Sequence, residues 1–187
     1  MAQSLAKILL HLVFSTKERR PFLKDQTLRE ELHRYLGGIL ANLECQPLII
    51  GGVEDHVHLL FAHSRTATVA EVVKELKRGS TVWLKTKSPA EEEVGNEAER
   101  HSLPQAARRA APEGAGNKGS RWAGEPLSDF AWQSGYGVFS IGQSQVEDVR
   151  AYIAGQEEHH RKISFQEEFR RLLQRYEVAF DERYVWD

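Results

Sequence analysis

Two histidines one residue apart, His56 and His58 in "EDHVHLLF" (54–61), are the residues of this chain whose type and spacing most suggest chemistry. Side chains at i and i+2 of a strand point to the same face, so the two imidazoles stand side by side. Neutral imidazole offers a lone pair to a divalent metal, yet two ligands rarely complete a site and His-x-His lacks the longer spacing of zinc motifs. Further groups come from "YIAGQ" (152–156), where Tyr152 and Gln156 lie four apart and share a helix face. That face would present a phenol able to act as a nucleophile and an amide oxygen able to act as a ligand. Each pair also has a purely structural reading, as hydrogen-bonded imidazoles or as a core aromatic beside a solvated amide.

Basic residues form two groups that could hold phosphates: Lys17, Arg19 and Arg20 after the first apolar run, and Lys74, Lys77 and Arg78 on a later helical segment. Charge runs of this kind are more often solvated faces. His159 and His160 follow Tyr152 on the same segment and read as helix-end histidines, with contact to DNA or metal as the alternative. His11 and His63 read as structural. Trp132 and Tyr136 have the chemistry to stack on bases, although core packing is the simpler role for strand aromatics.

Composition bounds these ideas. The 187 residues carry a formal net charge of -2 and 41% hydrophobic residues, which suits one domain spanning 1–187 with a proper core. Any nucleic-acid contact must come from a local basic face. A lone Cys45 excludes an intrachain disulfide and a thiolate zinc cluster, which fits a reducing, cytoplasmic setting. The run "ILLHLVF" (8–14), broken by His11 and followed by "KERR", reads as a buried strand rather than a signal peptide or a membrane span.

The elements that must position the candidates follow from periodicity. After the strand at 8–14, apolar residues from Leu28 to Leu43 repeat at helical spacing over 25–43. "PLIIGG" (47–52) and "HVHLLFAH" (56–63) form a hairpin of two strands. Thr68 and Glu71 make a capping box for a second helix. Residues 87–128, rich in Gly, Ala, Pro and Glu, read as a flexible insertion. "FAWQSGYGVFSI" (130–141) reads as the fourth strand, Ser144 with Glu147 as the cap of a third helix carrying "VEDVRAYIAGQEEHHRK", and Ser164 with Glu167 as the cap of a fourth, before an irregular tail at 178–187. Without the insertion, the order strand, helix, strand, strand, helix, strand is that of an α+β protein. Its core is a ferredoxin-like split βαβ arrangement, an antiparallel sheet with helices on one face, followed by two C-terminal helices.

His56-Val57-His58 preceded by Asp55, together with "YIAGQ", resembles the signature of single-tyrosine HUH transposases of small insertion sequences, including their REP-associated relatives. The likeness extends over "HLVFSTKERRPF", "FAWQSGYGVFSI" and "SFQEEFRRLLQRY". The resemblance implies a homodimer that cleaves and rejoins single-stranded DNA beside hairpins through a covalent 5′-phosphotyrosine on Tyr152. It implies Mg²⁺ or Mn²⁺ held by His56, His58 and Gln156. The alternative is a domesticated protein that binds hairpin DNA without cutting it. A water-activating metallohydrolase would want more His and Asp ligands, and a ferredoxin-like RNA-binding module would want aromatics where "HVHLLF" has histidines and aliphatics.

Overall fold

A computed structural model describes residues 5–88 and 126–186. Its centre is a four-stranded antiparallel sheet of β1 (Leu9–Ser15), β2 (Gln46–Gly52), β3 (His56–Ala62) and β4 (Gly137–Ser140), in the order β2-β3-β1-β4. This is the ferredoxin-like strand order. β1 and β3 lie in the middle and are buried on both faces, which explains why "LLHLVF" and "HVHLLF" are apolar nearly throughout rather than alternating with exposed polar residues.

The two faces of the sheet have different contents. Leu10, Leu12 and Phe14 of β1, with Val57, Leu59 and Phe61 of β3, pack against α1 (Gln26–Asn42) and α2 (Val69–Thr86). Both helices are capped, the second as its sequence predicts. Asp25 accepts from the Leu28 amide, and Thr68 and Glu71 make a reciprocal capping box. The opposite face carries Leu9, His11 and Val13 of β1 and His56, His58 and Leu60 of β3. It is covered by α3 (Val146–Ala154), α4 (Gln156–His160) and α5 (Phe165–Arg175). The core helices thus share one face, as expected, and the C-terminal helices roof the face that bears the histidines.

Three sequence boundaries change. The third helix breaks at Gly155 into α3 and α4, and it starts at Val146 after a turn at Gln143–Gln145 in which the Gln145 side chain, not a Ser144 cap, accepts from the Gly142 amide. The expected strand 130–141 shrinks to β4 plus an isolated bridge from Thr16 to Trp132. Trp132 turns into the core, with its Nε1 donating to Ser80 Oγ at 2.8 Å and its ring edge-on to Phe14 and Phe130. Finally, of the segment read as an insertion, 89–125 lies outside the described residues. Lys87 caps α2, and Leu127, 4% exposed, belongs to the core.

The loop after Trp132 owes its shape to a cation. Lys77 Nζ donates to the carbonyls of Gln133 (2.7 Å), Ser134 (3.0 Å) and Gly135 (2.7 Å), and burial lowers its pKa to about 8. An ammonium with three acceptors is fully used. Lys77→Met should therefore cost about 1–3 kcal/mol, because it removes three charge-assisted bonds and strands the part-buried Gln133 carbonyl. Urea unfolding checks this, and an unchanged midpoint would contradict the structural role.

Candidate active site

Glycines bring the tyrosine helix onto the sheet. A Cβ on Gly51 would stand 2.7 Å from the carbonyl oxygen of Ile153, so β2 lets α3 approach only because that position has no side chain. Gly52 has φ +150°, and a Cβ there would meet the His56 carbonyl at 2.2 Å, so the turn into β3 needs glycine as well. With α3 seated, the Tyr152 ring centroid is 5.8 Å from that of His58 and 6.2 Å from that of His11. Tyrosine and histidines of one chain are neighbours.

Both imidazoles of the pair are wholly buried. His56 Nδ1 lies 2.6 Å from Asp55 Oδ1, an arrangement in which Nδ1–H donates to the carboxylate and Nε2 keeps its lone pair. That Nε2 faces Gln156 Oε1 at 3.3 Å and Glu168 Oε2 at 3.6 Å. His58 Nδ1 lies 3.0 Å from His11 Nε2, and His58 Nε2 sits 3.5 Å from Glu168 Oε2 with no hydrogen-bond partner among the described residues. Lone pairs thus converge on one space.

Glu168, on α5, is the residue the sequence reading did not single out. It is 2% exposed and gathers the site around itself. Tyr152 donates its hydroxyl to Oε1, Gln156 Nε2 donates to the same oxygen at 2.9 Å, and His160 Nε2 is 3.1 Å from Oε2. His159 Nε2 is 3.3 Å from Oε1. Burial pushes the Glu168 carboxyl up, but the contacts with His160 and His58 outweigh it and hold the pKa well below the usual carboxylate range. Burial also lowers His160, but the bond to Glu168 and its charge, with the Ile163 carbonyl and Asp55, together outweigh that and leave it raised. Burial and the Glu168 charge together raise the Tyr152 phenol above its ordinary value.

A divalent cation fits this donor set. His56, His58, His160 and Glu168 each offer a ligand atom, all within 4.8 Å of one another, and Gln156 Oε1 adjoins them. Three imidazole nitrogens, one of them the orphaned buried Nε2 of His58, and a carboxylate are a cation's surroundings rather than those of an apolar core. His160, read as a helix-end residue, lies inside the group, and His11, read as structural, orients His58. The signal for Glu168 was present in the sequence: it occupies the apolar stripe of Phe165, Phe169 and Leu172, where a charge needs a reason.

The basic residues have mixed fates. Lys17, Arg19, Lys74 and Arg78 are exposed, Arg78 pairing with Glu75 at 2.9 Å. Arg20 lies over the Phe22 ring and 3.8 Å from Asp129, while Lys77 is committed to its carbonyls. His63 Nδ1 is 3.8 Å from the buried Cys45 Sγ, away from the site. Among the described residues, no helix is long and apolar enough to cross a membrane.

A family model described as "Transposase IS200 like" matches residues 4–99, just over half of the chain and the part that holds His56 and His58. Among solved structures, one similar chain is a provisionally assigned transposase from Deinococcus radiodurans R1, 21% identical over 83% of this chain and 95% of that one, with a TM-score of 0.49. Another is a REP-associated tyrosine transposase bound to a REP hairpin, 11% identical over 87% of this chain and 72% of that one, with a TM-score of 0.45. No curated protein matches the chain.

Acid should destabilise the metal-free protein. Burial, with the neighbouring His58, lowers His11 to about 3, and burial lowers His58 to about 4 and His33 to about 4. These groups must stay neutral when folded, whereas the unfolded chain protonates them near ~6.5. Their contribution is complete above that value and is lost as pH falls toward about 4. Thermal unfolding between those limits should show a falling midpoint, with a shallower fall in His33→Gln; a flat profile would refute it.

Proposed function

Since the chain belongs to the IS200-like transposase family, we propose that it cleaves and rejoins single-stranded DNA at hairpin-flanked sites, with Tyr152 as the nucleophile. One observation carries this reading: the Tyr152 hydroxyl and the buried His-x-His imidazoles of the same chain gather on a single carboxylate, Glu168. A transposase needs a group that can hold a DNA end without spending the bond energy, and a phenol ester of phosphate does that. The phenol oxygen attacks phosphorus, the bond from phosphorus to the 3′ oxygen breaks, and a 5′-phosphotyrosine and a free 3′-hydroxyl result. The phenolic proton has Glu168 as its acceptor in the resting site, and the departing 3′ oxygen gains one proton. Because one ester replaces another, rejoining is the same reaction in reverse and needs no ATP.

His56 and His58 would hold a divalent ion, with Gln156, His160 and Glu168 as the further donors. Such an ion polarises the phosphate and neutralises charge that develops on its oxygens. Asp55 would keep His56 in the tautomer whose Nε2 lone pair points inward, and His11, 3.0 Å from His58 Nδ1, is placed to orient the second imidazole with Nε2 inward. Of Mg²⁺ and Mn²⁺, the imidazole-rich donor set favours Mn²⁺. Lys17, Arg19, Lys74 and Arg78 are the exposed cations suited to backbone phosphates, Arg20 a partly covered one, and Lys77 contributes through the loop it shapes. A homodimer acting in the cytoplasm completes the reading.

Full burial of the imidazole pair also favours a second reading, a protein that binds hairpin DNA without cutting it. Incubation with single-stranded hairpin oligonucleotides and Mn²⁺ separates the two. An SDS-resistant adduct is expected with the wild type and none with Tyr152→Phe; adduct in both would reassign the nucleophile, and tight binding with no adduct in either would establish the second reading. Calorimetry should show His58→Ala abolishing measurable Mn²⁺ binding and His11→Phe weakening it about 10–100-fold, the usual effect of losing an orienting partner. Unchanged affinity in both would remove the metal from this site.

A further inference from the structure

On the same face of the sheet as the tyrosine site lies a second cavity, of about 150 Å³. Tyr136, Phe169, Tyr184 and Trp186 make aromatic walls for it. Its lining also includes two buried polar side chains, Ser15 (4% exposed) and Gln133 (7%), joined at 3.1 Å. Phe165 lines the cavity too, and its ring centroid is 4.5 Å from that of His56, so a single side chain separates this space from the imidazole pair. We infer that the cavity takes one unpaired base of the DNA strand, beside the phosphate that Tyr152 attacks; this rests on the nuclease reading above.

Size and chemistry agree on that occupant. A space of this volume admits a benzene-sized ring, and with Tyr136 and Tyr184 at its exposed rim a ring can enter from solvent. Every base has a π face that stacks on aromatic side chains, so the walls supply affinity without choosing a sequence. Choice comes from the polar lining. Ser15 Oγ already donates to Gln133 Oε1, which makes the Gln133 amide N–H groups the part suited to an acceptor on a base edge. Three cations lie beside the walls, each already engaged: Lys77 Nζ, bound to its three carbonyls, is 5.6 Å from the Tyr136 ring centroid, Arg183, paired with Asp181, is 5.4 Å from that of Tyr184, and Arg170, paired with Glu182, is 5.0 Å from that of Trp186. Aromatic walls with one free amide donor suit a flat ring that carries acceptors on its edge better than an apolar peptide side chain.

The test uses the full chain in EDTA, so that no metal contributes, and labelled single-stranded octanucleotides of adenine, cytosine or thymine beside an abasic octamer of equal charge. Fluorescence anisotropy should show at least one base-bearing strand binding tenfold or more tightly than the abasic one, with a ranking among the three. Tyr136→Ala should lower that affinity about tenfold, and Tyr136→Phe should restore it. Gln133→Leu should flatten the ranking while thermal unfolding shows the fold intact. Equal binding of abasic and base-bearing strands, or a Tyr136→Ala variant that binds as the wild type does, overturns the inference. The tyrosine adduct, assayed separately with Mn²⁺, keeps the two ideas apart: an adduct without base preference sinks the cavity alone, and base preference without an adduct leaves the cavity standing while the nuclease reading falls.

Discussion

The carboxylate of Glu168 lies among imidazoles, a phenol and an amide with almost no contact with solvent, and much of the C-terminal half is arranged to make that burial tolerable. An isolated buried carboxylate costs several kcal/mol, so it persists only where donors surround it. Here the donors come from two helices, Tyr152 of α3 and Gln156 and His160 of α4, and they meet α5 at one charge. The roof over the histidine face is therefore held by polar chemistry at its centre and by Phe165, Phe169, Leu172 and Leu173 around it.

That arrangement divides the sheet between two tasks. The face under α1 and α2 is aliphatic and aromatic, and it supplies most of the burial that stabilises the fold. The opposite face interrupts its apolar lining with His11, His56 and His58, three groups that burial keeps from charging readily in two cases and that together present nitrogen lone pairs to one small space. Stability and chemistry are thus separated by the thickness of one strand. The period of two in β3 makes this division possible, since adjacent residues serve opposite faces. A one-residue slip of β3 would send both imidazoles into the α1–α2 core. Glycine at 51 guards against a related failure, because a side chain there would press on Ile153, lift α3 and carry Tyr152 away from the pair.

Much of this was legible in the chain. The strands around "LLHLVF" and "HVHLLF", the capped helices beginning after Asp25, Thr68 and Ser164, and the shared face of His56 and His58 all follow from short-range rules of period and capping. Misreadings came where a long-range contact overrode a local preference. "FAWQSGY" has the composition of a strand, but Trp132 finds Ser80 and the following carbonyls find Lys77, so the segment bends away from the sheet. The break at Gly155 likewise splits a segment whose capping and apolar spacing suggested one helix.

Within the site, sequence spacing determined the side-by-side imidazoles, because they depend only on the geometry of one strand; Tyr152 and Gln156, expected on one helix, stand on either side of the break at Gly155 and meet at Glu168. Spacing did not reach Glu168, His160 or His11 as partners. Those meet the pair across separations of 110, 104 and 47 residues, through the packing of α4 and α5 and a diagonal step between β1 and β3. A sequence states which donors exist and which face each one takes; which donors end up sharing a charge is decided by how the elements pack, since electrostatic contact depends on distance in space and falls away with every ångström of separation.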